Sequence, residues 1–293
     1  MIWASGWRLA AAVSNAGGMG VIGAGSMYPD LLDHHIKSCR KATSKPFGIN
    51  LPLLYPDIDQ HVEVILRNKV PVVITSAGNP VTYTSLFKEA GCKVIHVVSS
   101  QRFAQKAVTA GCDAIIAEGF EAGGHNGREE TTTLVLVPLV REAVSIPVIA
   151  AGGIATGRQM LAAMVLGADG VQMGSRFVAS LEASSHEEFK KAIIAAREGD
   201  TILTLKELTP VRLLKNPFYE QVFRAGQNSA TPGELQNILG KGRAKKGMFE
   251  GDLKEGELEI GQVSALIREI KPAAEIIREV WNEFRTALET PLK

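Results

Sequence analysis

The chain has 293 residues, 45% of them hydrophobic, which suffices for one large domain or for a domain with an appended lobe. Its formal charge of +1 speaks against a nucleic-acid partner, since the one basic cluster, Lys241, Arg243, Lys245 and Lys246, sits among glycines and reads as a solvated loop. No apolar run reaches the ~18 residues of a membrane span, and the N-terminus lacks the basic segment and apolar core of a signal peptide.

The chain opens into a helical segment over 8–16. Short apolar, β-branched runs follow at 20–24, 46–51, 70–76, 93–99, 114–118, 147–151 and 170–173. Helical segments at 57–68, 82–90, 100–110, 133–144 and 158–166 alternate with them. Continuous apolar runs suit parallel strands buried on both faces, and strand–helix alternation at this spacing means βαβ units. Four of the helices stop at a glycine, Gly17, Gly91, Gly111 and Gly167, where a left-handed residue carries no Cβ penalty.

An eight-stranded (β/α) barrel needs one strand before the first helix. The five residues 1–5 are too few for a strand and its loop, so the sequence reads as an α/β TIM (β/α)8 barrel lacking its first N-terminal strand, as a misassigned start would leave it. After Arg176 the rhythm breaks. Residues 186–260 are more polar and read as a smaller helical lobe on the substrate side, with no strong strand. An amphipathic pattern returns after Ile260, so three units are expected: a barrel over 1–185, the lobe over 186–260, and a C-terminal helix over 261–293 that docks back on the barrel.

Ligands of such barrels bind at the C-terminal ends of the strands, with phosphate commonly held by the last two strand–helix loops. Here those loops are 151–157, with Gly152 and Gly153, and 174–176, with Gly174 and Ser175. Their backbone N–H groups can approach a phosphate closely because no Cβ intervenes. The GxGxxG spacing of Gly18, Gly20 and Gly23 is set aside, because it follows a helix and runs into a strand.

The sharpest segment is 118–127, a glycine-rich loop at a strand end that presents His125, an imidazole able to move protons near neutral pH. His34, His35 and His61 fall in helices, His186 at a helix start, and His96 on a strand where it either lines the barrel or fills the core. Cys92 and Cys112 each follow a glycine and suit small buried positions. With Cys39 they make an odd number without a CxxC spacing, which fits a reduced, cytoplasmic setting. No metal-ligand spacing or nucleophile elbow is present, so redox chemistry needs a borrowed cofactor, and a phosphate-bearing flavin across the barrel mouth fits the two glycine loops.

The segments 117–125, 149–155 and 171–177, with Pro46-Phe47-Gly48-Ile49-Asn50 and Ser76-Ala77-Gly78-Asn79-Pro80, resemble the nitronate monooxygenase (2-nitropropane dioxygenase) family, which includes a flavin-dependent enoyl-acyl-carrier-protein reductase. The resemblance implies FMN as cofactor and His125 as the catalytic residue. Asn50 would touch the flavin ring, and Gly152, Gly153, Gly174 and Ser175 would hold the phosphate. Ala77, Glu118, Gly123, Gly124, Ala151 and Gln172 complete the implied cofactor-binding set. Ser175 replaces a usual threonine and keeps the hydroxyl. Val97 replaces a lysine found in one monooxygenase subgroup. The segment 1–3 resembles the tail of a Gly-Gly-Met stretch that touches FMN, so the glycines before it are missing here.

Two activities share these motifs. One is oxidation of alkyl nitronates with O2, and the other is NAD(P)H-dependent reduction of an enoyl thioester. Readings from other classes are a non-catalytic flavin binder, an inactive truncated product, and a phosphosugar isomerase. The implied partner is a small-molecule substrate, with no nucleic acid or membrane, and a homodimer is compatible with all of these readings.

Overall fold

The computed structural model describes residues 1–56 and 58–290. In chain order its strands are β1 (Gly20–Gly23), β2 (Phe47–Pro52), β3 (Val72–Ser76), β4 (Lys93–Val98), β5 (Ala114–Glu118), β6 (Gly124–His125), β7 (Val148–Ala151), β8 (Gly170–Gln172), β9 (Thr201–Thr204) and β10 (Val211–Leu214). Its α-helices are α1 (Trp7–Asn15), α2 (Pro29–Ala42), α3 (Ile58–Arg67), α4 (Thr84–Glu89), α5 (Gln101–Thr109), α6 (Thr133–Ala143), α7 (Gly157–Val165), α8 (Ser175–Val178), α9 (Glu187–Ala195), α10 (Pro217–Gln227), α11 (Pro232–Leu239) and α12 (Ala273–Glu289). Position 57 of the expected 57–68 helix and the last three positions of the C-terminal unit lie outside the described residues.

Seven parallel strands form one curled sheet in the order β1-β2-β3-β4-β5-β7-β8, with helices outside, as the alternation of runs predicts. Side chains alternate across it, as strand geometry requires. Ile22, Ile49, Leu51, Val73, Val94, Val98, Ile115 and Val148 face the helices in the main core. Ile74, Ile95, Ala114, Ile116 and Ala151, with Val21, Val72, Val97 and Ile149, face the lumen in a second cluster. The four glycine stops hold φ of 98° (Gly17), 83° (Gly91), 87° (Gly111) and 101° (Gly167). β1 and β8 are the edges of the sheet. Residues 1–5 form a turn against β1, with the Gly23 N–H donating to the Ser5 carbonyl at 3.0 Å.

The region after Arg176 differs from expectation. It carries helices, but it also contains β9 and β10, which pair antiparallel with each other and with β6 in a second, three-stranded sheet. Each is only four residues long. Leu205, Val211, Leu213, Phe218, Tyr219, Val222 and Leu235 form the lobe's own core. A further cluster of Val178, Phe189, Ile193, Leu214, Met248, Leu258, Ile260 and Ile267 joins that lobe to the end of the barrel chain.

The last helix, α12, packs on α7 and α1. Gly157 opens α7 where the two helices meet, and its N–H donates to Glu283 Oε2 at 2.8 Å. A Cβ at position 157 would stand 2.2 Å from the Phe284 nitrogen and 2.3 Å from the Val280 oxygen. Backbone cannot yield there, so Gly157→Ala should force α12 off α7. Denaturant titration is expected to show a loss of about 2–3 kcal/mol. Gly226→Ala on α10, where no atom lies within 4 Å of the added carbon, should be neutral or gain up to ~1 kcal/mol. A Gly157→Ala protein as stable as the parent would disprove this account of the α7–α12 contact.

Candidate active site

Strand register decides which side chains crown the lumen. Ala114 and Ile116 face inward, so Glu118, two residues further along β5, does so as well. Glu118 pairs in register with Ala151, and Ala151 with Gln172. The same parity turns Gly23 and Asn50 inward at the ends of β1 and β2, where they are register partners. Asn50 Nδ2 donates to the Ile74 carbonyl and lies near Ser76 Oγ, both at 3.2 Å. Small and polar groups thus ring the mouth above an apolar floor of Val21, Ile74, Ile95, Ile116 and Ile149. Ala77 sits outside this ring at an exposed rim position with φ 48°.

Three loops meet at one side of the ring. Gly152 and Gly153 have φ of 86° and 68°, a conformation that favours glycine. A Cβ on Gly152 would stand 2.6 Å from the Gly119 carbonyl oxygen, so the loops after β5 and β7 touch backbone to backbone. Glu121 ties them further, because its carboxylate accepts from the Thr133 N–H at 3.0 Å, and the Thr133 hydroxyl lies 2.9 Å from the Gly152 oxygen. From the third loop, the Ser175 hydroxyl accepts from the Gly261 N–H at 2.9 Å, which leaves its own proton free to donate. Gly174 has open space, with only the Met1 side chain near, at 3.6 Å from an added Cβ.

His125 stands on the same loop as Gly123 and Gly124. Its backbone belongs to the second sheet, with Val211 opposite His125 and Arg212 opposite Gly124. Asn126 fixes the turn by donating to the Ala122 and Gly124 carbonyls at 3.0 and 2.9 Å. Arg212 Nε donates to the Phe120 carbonyl at 3.0 Å, and its guanidinium lies 5.0 Å from the centre of the Phe120 ring. His125 is exposed to solvent.

The remaining histidines are elsewhere. His96 points to the helix layer, where its Nδ1 is 2.7 Å from the Thr75 hydroxyl, and burial lowers its pKa to about 4. That settles the two readings of His96 in favour of the core. His186 caps α9, accepting from the Glu188 N–H at 3.2 Å. Cys39, Cys92 and Cys112 are free and buried, and burial pushes all three thiols up.

Sequence reasoning missed one segment of the site. Residues 257–262 cross beside the His125 loop, and a Cβ on Gly123 would stand 2.4 Å from the Ile260 carbonyl carbon. Along this strap Leu258 and Ile260 join a buried cluster, and Glu257 and Glu259 alternate with them. Glu259 Oε2 lies 2.7 Å from where a Cβ on Gly124 would be. The signal available was the period-two pattern Glu-Leu-Glu-Ile at 257–260.

A sequence model of the nitronate monooxygenase family matches residues 1–59 and 54–283. The chain belongs to this family. It is 32% identical to a probable nitronate monooxygenase of Staphylococcus aureus, over 96% of this chain and 92% of that one. It is 30% identical to a 5-hydroxy-7a-methyl-1-oxo-octahydro-indene-4-carboxyl-CoA dehydrogenase of Mycobacterium tuberculosis, over 99% of this chain and 92% of that one. Among solved structures it resembles FabK from Thermotoga maritima, at 47% identity and TM-score 0.94, covering 99% and 92% of the two chains. It also resembles a nitroalkane oxidase from Streptomyces ansochromogenes, at 29% identity and TM-score 0.84, covering 98% and 94%. Nitronate monooxygenase-family proteins are generally flavin-dependent, and this member is an oxidoreductase.

Two carboxyls of the mouth are held above the ordinary carboxylate range. Burial raises Glu118 to about 7, opposed by the nearby Met1 amino group. Burial also raises Glu259, opposed by the charges of His125 and Met1. A carboxyl raised in the folded state keeps its proton there after the unfolded chain has lost it. Its contribution is therefore full at acid pH and is lost as pH climbs from about 4.5 towards about 7. Glu118→Gln should flatten the stability–pH curve across that window and make the protein more stable at alkaline pH, by about 1–3 kcal/mol. Chemical denaturation at several pH values checks this, and an unchanged slope would contradict the burial of Glu118.

Proposed function

We propose that the chain is an FMN-dependent oxidoreductase whose substrate reacts beside His125. The observation that carries this reading is the convergence of His125, the two glycine turns and Ser175 on one side of a small-and-polar ring above an apolar floor. A flat ring system suits such a floor, and a phosphate suits N–H groups that no Cβ shields. Gly152, Gly153, Gly174 and Ser175 would hold the FMN phosphate. Asn50, Glu118, Ala151 and Gln172 would border the isoalloxazine, with Gly123 and Gly124 letting the His125 loop come close, whereas Ala77 lies outside that border. FMN supplies the capacity to accept and release electrons. The protein's own part is to exclude water from the lumen side, to orient the substrate, and to hold or move a proton at the His125 imidazole.

The substrate we assign is an alkyl nitronate oxidised with O2, supported by the family match and by the nitronate- and nitroalkane-named relatives. A second reading is NAD(P)H-dependent reduction of an enoyl thioester. It is favoured by the relative named for a CoA thioester and by the carboxyl of Glu259 beside the His125 loop, which suits an uncharged substrate better than an anion. A reduced, cytoplasmic setting suits the three free cysteines.

Anaerobic mixing separates the two. Bleaching of the bound flavin by nitronate and not by NAD(P)H is the expected result, and the reverse would transfer the assignment to the thioester reading. His125→Ala should cut turnover by roughly 10²–10⁴ while leaving the flavin spectrum in place. Full turnover in that variant would remove His125 from the reaction.

A further inference from the structure

The strap that crosses the His125 loop brings a carboxyl to the site that none of the glycine motifs announces. Leu213 of β10 bridges antiparallel to Glu259, and its neighbours Arg212 and Val211 pair with Gly124 and His125. Glu259 therefore continues the line of β6 along the same edge of β10. Gly124, with φ 78°, leaves the space into which the carboxyl leans, its Oε2 and Cδ being 2.7 and 3.6 Å from the missing Cβ. Among the described residues, no side-chain hydrogen bond or ion pair holds Glu259. It interacts with His125 through charge alone.

The charged groups around it come from every neighbouring element. The barrel supplies Glu118, which faces the lumen, and the Met1 amino group lies near both carboxyls. The strap supplies Glu257, which is buried towards Arg243 and is itself raised to about 8 by burial. The loop supplies His125, and β10 supplies Arg212, which is drawn to the Phe120 carbonyl. Glu118 and Glu259 thus both interact through charge with the Met1 amino group, and Glu259 does so with His125 as well.

We propose that Glu259 is a specificity-determining residue that sets the charge class of the ligand: it admits an uncharged group beside His125 and opposes an anion unless a proton is taken up with it. This rests on the reading of His125 as the substrate-side group. A like charge in a partly desolvated cleft repels strongly, whereas the protonated carboxyl does not, and can donate a hydrogen bond instead. A substrate that is an anion would accordingly bind better as pH falls, and a thioester would bind independently of the ionisation of Glu259.

The test uses an isosteric pair of probes, but-2-enoate and but-2-enamide, titrated calorimetrically into the FMN-loaded protein and into its Glu259→Gln variant. The wild type should favour the amide and bind the anion more tightly at lower pH, with proton uptake. Glu259→Gln should strengthen but-2-enoate about tenfold, abolish most of its pH dependence and leave the amide within about twofold. Equal effects on both probes, no change in their ratio, or no binding of but-2-enoate to either protein would overturn the proposal. The flavin absorption spectrum of the same samples reports separately on the cofactor reading. Absence of FMN would sink that reading alone, because the charge selectivity belongs to the protein carboxyl and is still returned by the calorimeter.

Discussion

No side chain can exist at position 123, and the rest of the site follows from that. The strap between Leu258 and Gln262 passes 2.4 Å from where a Cβ would be, well inside van der Waals contact, and it is held there by hydrogen bonds from the Gln262 N–H to the Glu121 carbonyl and from the Gly261 N–H to the Ser175 hydroxyl. These contacts join the loop after β5, the loop after β8 and the lobe into one junction, backbone to backbone at Glu121 and through the side-chain hydroxyl at Ser175. Gly119 and Gly152 extend it to the loop after β7. Glycine appears at these crossings because two main chains approach more closely than any Cβ allows, so the same residues that make the junction also leave N–H groups unshielded.

Much of the barrel was legible in the sequence because its strands are buried on both faces. A run such as Ala114-Ile115-Ile116-Ala117 leaves little ambiguity, and the glycines after α1, α4, α5 and α7 mark where each helix must reverse. Period-two parity carried further than it was used: with Ile95 and Val97 facing the lumen, His96 must face the helices. The lobe was less legible. Thr201–Thr204 is half-buried at every position, so it shows no alternation, and β6 is two residues long and exists only because β10 lies beside it. Glu259 escaped for a related reason. In the sequence it is one acid among several in a polar stretch, and only the bridge to Leu213 aims it at Gly124.

Energetically the mouth is the costly part of the molecule. The lumen floor and the helix layer are apolar and close-packed, whereas Glu118 and Glu259 are desolvated with no hydrogen-bonded ion pair among the described residues, opposed only by the charge of the Met1 amino group and, for Glu259, of His125. A desolvated carboxyl destabilises the fold unless it is protonated, and such sites are typical of places where binding or proton transfer is prepared at the expense of stability. The surrounding hydrogen bonds of Glu121, Thr133, Asn126 and Arg212 supply the rigidity that lets the cost be tolerated.

The second sheet has one more implication. His125 springs from the barrel's fifth strand, yet its backbone is registered by β10, which belongs to the lobe. The aim of the imidazole is therefore inherited from a hairpin far along the chain. Side chains alternate faces with each step of pairing, so slippage of that hairpin by a single residue would turn the ring to the opposite face of the ribbon while leaving the barrel untouched. Divergence within the lobe can thus retune or silence the chemistry of the barrel without altering any residue of the barrel itself.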